Sequence, residues 1–81
     1  MTFEWDLRKA AENLAKHGIP FDYATRVFDD PYHIAQEDRT SFYEEARYHA
    51  IGMVENLLLF VAFTYRQDNI RLISARKVTP R

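Results

Sequence analysis

The sequence has 81 residues, a net charge of −1, and 47% hydrophobic and 28% charged residues, which indicate one small globular domain rather than a disordered chain. It contains no cysteine, and this excludes disulfides, thiolate metal sites and a cysteine nucleophile. Met1–Asp6 lacks the features of a secretory signal, and the longest apolar run, Leu57–Phe63, is too short to span a membrane, so we expect a cytoplasmic protein.

The first 30 residues predict a short strand followed by two helices. Thr2–Trp5 alternates like a strand, and Asp6 is a favourable N-cap residue for a helix over Leu7–Lys16. Gly18 is suited to the left-handed conformation that commonly ends a helix. Pro20 then predicts the start of a second helix of about two turns, which ends at Asp29-Asp30-Pro31 because proline disfavours helix in the residue before it.

After Pro31 the hydrophobic period changes from that of a helix to that of strands. Four strands are predicted, separated by a polar turn at Glu37–Ser41 and tight connections at Glu55-Asn56 and within 67–69: Tyr32–Gln36, Ala46–Val54, Leu57–Arg66 and Ile70–Arg76. The prediction is an α+β domain, residues 1–81, with a four-stranded antiparallel meander behind two helices. Leu57–Phe63 is apolar at every position, so we expect a central strand covered on both faces.

A two-residue hairpin loop at Glu55-Asn56 predicts which side chains share a face of the sheet. It pairs Val54 with Leu57 and, further along, Arg47 with Thr64. Because side chains alternate, one end of that face is apolar and the other is polar. The polar end gathers five side chains: Glu45, Arg47, His49, Thr64 and Arg66.

This polar cluster has the composition that a phosphodiester site requires. Arginine forks bind phosphate and stabilise the negative charge of its transition state. Glu45 or His49 can accept the proton of an attacking hydroxyl. The alternative is that Glu45 and Arg66 form an ordinary cross-strand ion pair, which contributes little to stability.

The last strand adds cations to the cluster in either of two registers. A loop of Gln67-Asp68-Asn69 places Arg76 on the face of Thr64, whereas a loop of Asp68-Asn69 places Arg71 and Lys77 there. These cations can instead belong to a solvated edge strand that charge protects from aggregation. The residues point to no metal site, because the histidines lack nearby paired ligands.

Three segments in combination resemble the BrnT-type toxin family over nearly the whole chain. They are Phe3-Glu4-Trp5-Asp6, Asn13-Leu14-Ala15-Lys16-His17-Gly18 and Ser74-Ala75-Arg76-Lys77. The resemblance implies a RelE-like fold and a type II toxin, a ribonuclease that blocks translation. Our hypothesis is that it cleaves RNA without a metal or other cofactor. The resemblance also implies a hetero-oligomer with a BrnA-type ribbon-helix-helix antitoxin, and the two together repress their own operon.

The family's polar positions fall on residues of this sequence that largely coincide with the cluster: Arg47, Thr64, Arg66, Arg76 and Lys77. We therefore expect catalytic roles for Arg47, Thr64, Arg66 and Arg76, with Glu45 or His49 as the base. Contacts to RNA are expected from Arg71, Lys77, Lys16 and His17. Members of the family usually continue into a basic C-terminal helix, whereas this sequence stops at Arg81. An alternative is therefore a catalytically degenerate module that only binds antitoxin and modulates repression.

Overall fold

The computed structural model describes residues 2–39 and 45–79, in which one five-stranded sheet is covered by helices on one face. The strands lie side by side in the order β1-β5-β4-β3-β2, and only β1 and β5 run parallel. The helices are α1 (Leu7–His17) and α2 (Phe21–Ala24), and the latter continues into a 3₁₀ turn over Thr25–Asp29. The strands are β1 (Thr2–Trp5), β2 (Ile34–Asp38), β3 (Arg47–Val54), β4 (Leu57–Arg66) and β5 (Asn69–Lys77). No helix among these residues is long and apolar enough to cross a membrane.

The ends of α1 are determined by the residues predicted to cap it. The carboxylate of Asp6 accepts hydrogen bonds from the backbone N–H groups of Arg8 and Lys9, at 2.8 and 3.2 Å. At the other end Gly18 has a φ of 74°, and its N–H donates to the carbonyl of Leu14. Both caps satisfy backbone groups that a helix leaves unpaired at its termini, so α1 is specified by its own sequence.

The β3–β4 hairpin has the predicted turn and register. Glu55 and Asn56 form the two-residue turn, and Glu55 adopts a φ of 56°. Val54 pairs with Leu57, and the same register continues to the pair Tyr48–Phe63. The two-residue loop fixes this register because it leaves no freedom for a slip by one residue.

The first strand after the helices begins two residues later than expected. The carboxylate of Asp30 accepts the N–H of Tyr32, and the Asp30 carbonyl accepts the N–H of His33. These bonds hold Tyr32 and His33 in a turn, so β2 starts at Ile34 and continues to Asp38. The expected polar turn at Glu37–Ser41 is therefore wrong for Glu37 and Asp38, and residues 40 and 41 lie outside the described part of the chain.

The core lies between the helices and one face of the sheet. Its members alternate along the strands and are joined by residues from the helical layer: Ile19, Phe21, Ala24, Val27, Ala50, Val54, Leu59, Val61, Phe63, Ile70, Leu72 and Ala75. β4 is the central strand, as predicted, but its coverage on both faces is not observed. Leu58, on the opposite face, is exposed, because the described helices pack on one face only. We call this uncovered side of the sheet the open face.

Candidate functional site

Along its strands the open face changes from apolar at the β3–β4 hairpin to charged at the opposite end. Cross-strand pairing arranges its side chains in three rows, each of which crosses the sheet. The first row contains Ile34, Ile51, Phe60 and Arg76; the second contains Gln36, His49, Ala62 and Ser74; the third contains Asp38, Arg47, Thr64, Arg71 and Glu4. Arg47 aligns with Thr64 by continuing the hairpin register one pair beyond Tyr48 and Phe63. Consecutive rows are roughly 7 Å apart, the length of two strand residues.

We call the third row, together with Glu45 and Arg66 beyond it, the charged end of the open face. It includes the predicted ion pair of Glu45 and Arg66. Their side chains are about half exposed, and Arg66 Nη2 lies 3.2 Å from Glu45 Oε1. This hydrogen bond raises the pKa of the arginine. An ion pair this exposed is readily replaced, since solvent screens it and both long side chains lose freedom in forming it. Arg66 can therefore exchange Glu45 for a phosphate.

Thr64 and Arg71 are more firmly held than Arg66. Thr64 is buried, and its hydroxyl donates to the carbonyl of Ala46 at 2.5 Å. Arg71 Nη1 donates to Glu4 Oε2 at 2.6 Å, and Asn69 donates to the other oxygen of Glu4 at 2.9 Å. The bonds from Asn69 and Arg71 lower the pKa of Glu4. Thr64 thus organises the backbone beneath the charged end, while Arg71 fastens β1 to β5.

A second group of predicted side chains meets at Phe60, which we call the aromatic cluster. The His49 ring is stacked on Phe60 with a centroid distance of 5.0 Å and an interplanar angle of 26°. The guanidinium carbon of Arg76 lies 4.7 Å from the centroid of the same ring. A proton acceptor from β3 and a permanent cation from β5 therefore flank one aromatic ring on β4. The next row carries the small side chains of Ala62 and Ser74.

The last strand follows one of the two registers considered over only part of its length. Opposite Leu59–Ala62 it has the register that a loop of Gln67-Asp68-Asn69 predicts, with Arg76 opposite Phe60, whereas opposite Phe63–Arg66 it has neither. Arg66 pairs with Asn69, so the loop is Gln67-Asp68, and a bulge then shifts the register between Ala62 and Phe63. The bulge places both Arg71 and Arg76 on the open face, where either predicted register placed only one of them. Along β4, however, Phe60 and Arg66 are six residues or about 20 Å apart. Arg76, opposite Phe60, therefore cannot share one phosphate with Arg66.

Three predicted RNA contacts lie away from the open face. Lys77 pairs with Leu59, a core residue, so its side chain starts on the helix side of the sheet. It lines a cavity of about 340 Å³ together with His17 at the end of α1. Lys16 lines another cavity, of about 250 Å³, beside Ser74. These cations form a separate basic region around the C-terminal end of α1.

Phe60 is the site residue that sequence reasoning missed. Its place in the longest apolar run favoured a core position, and the hairpin register paired it with Ile51. The same register also put His49 on its face one row away, which was the available signal. One of the two registers considered for the last strand predicts Arg76 on this face, whereas the presence of Arg71 on the same face depends on the bulge in β5.

Comparison with known families agrees with the resemblance drawn from the sequence motifs. Residues 5–81 match the family described as "Ribonuclease toxin, BrnT, of type II toxin-antitoxin system". No curated protein matches the sequence significantly. The family match leaves out only the first four residues, among them Glu4, and includes every other side chain named above for the charged end and the aromatic cluster. The chain therefore belongs to the BrnT family of ribonuclease toxins of type II toxin–antitoxin systems.

Proposed function

We propose that this protein is a metal-independent endoribonuclease that inhibits translation by cleaving RNA and is neutralised by a BrnA-type ribbon-helix-helix antitoxin. The observation that carries the proposal is the aromatic cluster, in which His49 and Arg76 contact the same ring on an uncovered face. The charged end continues that face and supplies further cations. Together they provide a proton acceptor, a ligand for the reacting phosphate and contacts for its neighbours.

The proposed reaction uses the 2′-hydroxyl of RNA as the nucleophile. His49 accepts the hydroxyl proton while the 2′-oxygen forms a bond to the adjacent phosphorus. The bond from phosphorus to the 5′-oxygen breaks, and that oxygen takes a proton from solvent. The products are a 2′,3′-cyclic phosphate and a 5′-hydroxyl. Arg76 stabilises the additional negative charge on the phosphate oxygens in the transition state.

The charged end is assigned to the neighbouring phosphates of the same strand. Its distance from Arg76 excludes a shared phosphate but suits an RNA strand that runs along the sheet. Glu45 is the weaker candidate for the base, because its oxygens already accept hydrogen bonds from Arg66. In this assignment Arg66 exchanges Glu45 for phosphate when RNA binds, and Arg47 lies one row nearer to the reacting group.

The test is cleavage of a defined RNA by purified, antitoxin-free protein in the presence of EDTA. We expect His49→Gln and Arg76→Ala to lower kcat by roughly 10²–10³-fold, because each removes a group that acts in the transition state. Arg66→Ala should chiefly raise KM. Arg8→Ala is the matched control, since Arg8 is an exposed arginine on α1 that pairs only with Glu12 among the described residues. Cleavage that requires a divalent metal, or full activity of His49→Gln, would contradict the mechanism.

A second candidate, the catalytically degenerate module, is favoured by one observation. Arg66 and Arg71 are both engaged by carboxylates, which reduces the positive charge available to RNA. Expression in a host without antitoxin distinguishes the two candidates. Growth arrest that is lost in His49→Gln supports the enzyme. Normal growth, with antitoxin binding retained, supports the module.

A further inference from the structure

The end of the open face nearest the β3–β4 hairpin is apolar and exposed. Ile34 is 63% exposed, Met53 is 45% exposed, and Ile51 and Leu58 are each 37% exposed. Cross-strand pairing makes these residues neighbours, because Ile34 faces Ile51 and Met53 faces Leu58. We call this surface, completed by Phe60 opposite Ile51, the apolar patch. Contiguous exposed apolar side chains on a small protein mark a surface that a partner covers.

The apolar patch has a cavity and bordering cations that suit an extended or helical peptide segment. A cavity of about 430 Å³ opens between Met53, Leu58 and Val78. Lys77, whose side chain starts on the helix side of the sheet, also lines this cavity, and Arg76 lies at the border of the patch opposite Phe60. No ion pair of Arg76 or Lys77 is seen within 2–39 and 45–79. An apolar groove bordered by two cations is complementary to an amphipathic segment that carries carboxylates.

We infer that the apolar patch is the docking surface for the inhibitory segment of the antitoxin. That segment packs apolar side chains against Met53 and Leu58 and places a carboxylate on Arg76. The inference rests on the proposed function for the antitoxin partner and for the role of Arg76. It adds the location and chemistry of inhibition. A bound segment covers Phe60 and pairs with Arg76, which is then no longer available to the RNA phosphate.

Two other occupants fit the surface less well. A second copy of the chain would bring its own Arg76 and Lys77 to a symmetric contact, which places like charges together. RNA requires cations for its phosphates and aromatic rings for its bases, whereas Ile34, Met53 and Leu58 are aliphatic. An acidic amphipathic segment satisfies both the apolar side chains and the bordering charges.

The test uses the absence of native cysteine, which makes every introduced thiol unique. Met53→Cys and Leu58→Cys place a thiol in the apolar patch, and Leu14→Cys places one on α1, where Leu14 is 49% exposed. Alkylation rates are measured for free toxin and for its complex with a purified BrnA-type antitoxin. We expect complex formation to slow alkylation at positions 53 and 58 by at least about tenfold and to leave position 14 within about twofold, since an interface core excludes water.

Charge reversal provides a second measurement that does not depend on the cysteine variants. Arg76→Glu should weaken antitoxin binding by about tenfold or more, whereas Arg8→Glu should not. Three outcomes would overturn the inference. They are equal slowing of alkylation at all three thiols, no slowing at positions 53 and 58, and slow alkylation in free toxin that has the mass of a dimer. Failure of the proposed function is distinguishable, because an inactive toxin whose patch is still protected contradicts the ribonuclease mechanism and leaves the docking surface intact.

Discussion

Gly52 is the point at which β3 and the helical layer come closest. A Cβ atom built at this position would lie 2.9 Å from the Cβ of His33 and 2.9 Å from Cγ1 of Val27, and 3.2 Å from the Val27 carbonyl oxygen. These distances are shorter than side-chain contacts allow, and Val27 is itself fully buried. The glycine therefore lets the 3₁₀ turn rest directly on the strand that carries His49 and Ile51.

We predict that Gly52→Ala destabilises the protein by about 1–3 kcal/mol, since the added methyl must displace buried atoms of a packed core. Urea unfolding followed by circular dichroism measures the change. Gly18→Ala is a useful comparison, because its Cβ would meet no atom within 4 Å and its penalty would come from the positive φ alone. A Gly52→Ala variant as stable as the wild type would contradict this prediction, because it would show that β3 and the 3₁₀ turn can move apart without a loss of stability.

At the scale of elements, Asn13 connects α1 to the exposed edge of the sheet. Within the described residues β1 pairs with 69–72 of β5, so the remainder of that edge needs other partners. The amide of Asn13 accepts the N–H of Ala75 at 2.9 Å and donates to the Ala75 carbonyl at 2.9 Å. It also donates to the carbonyl of Ile19 at 3.0 Å. One buried side chain thus continues the sheet where β1 ends, directly before Arg76.

We predict that Asn13→Ala lowers the free energy of unfolding by about 2–4 kcal/mol, because it leaves several buried backbone groups without partners. Amide hydrogen exchange provides the specific readout. The Ala75 amide should lose protection more than amides in β3. Glu12→Ala, at the neighbouring exposed position, is the control and should change stability little. Unchanged exchange at Ala75 would contradict the role assigned to Asn13.

At the scale of the whole molecule, carboxylates connect segments that are distant in sequence. Asp30 accepts the backbone N–H of Met53 at 2.8 Å and that of Tyr32 at 2.9 Å, and these bonds lower its pKa below the ordinary 3.8. Glu4 connects β1 to β5, and its pKa likewise lies below the ordinary 4.5. Hydrogen bonds from Lys9 and Arg8 lower the pKa of Asp6. The folded state therefore holds protons at these groups less tightly than the unfolded chain does.

We predict that the protein loses stability on acidification. A carboxyl group with a lowered folded-state pKa contributes its stabilisation above its ordinary pKa and loses it as the pH falls through the folded value. The loss should therefore be concentrated below about pH 4. Urea unfolding at a series of pH values measures this loss. The free energy of unfolding should fall less steeply at acid pH for Asp30→Asn than for the wild type. Leu7→Ser changes an exposed side chain that has no titratable group, so the variant should keep the wild-type dependence of the unfolding free energy on pH.

The sequence alone determined the features that arise from short-range interactions. Asp6 and Gly18 define α1 because a cap acts within one turn, and Glu55-Asn56 defines the β3–β4 register because a two-residue loop permits no slip. That register was sufficient to place Glu45 opposite Arg66 and His49 beside the apolar positions of β4. Much of the charged end was therefore predictable from a single hairpin.

Only the tertiary structure decided the arrangement that depends on distant segments. The parallel pairing of β1 with β5, the bulge that places both Arg71 and Arg76 on the open face, and the absence of described helices from that face all depend on tertiary packing. A bulge leaves no local pattern when the residues around it, such as Ile73 and Ser74, suit either side of a strand. Arg71 and Arg76 share the open face because one extra residue in β5 is accommodated against the packed sheet.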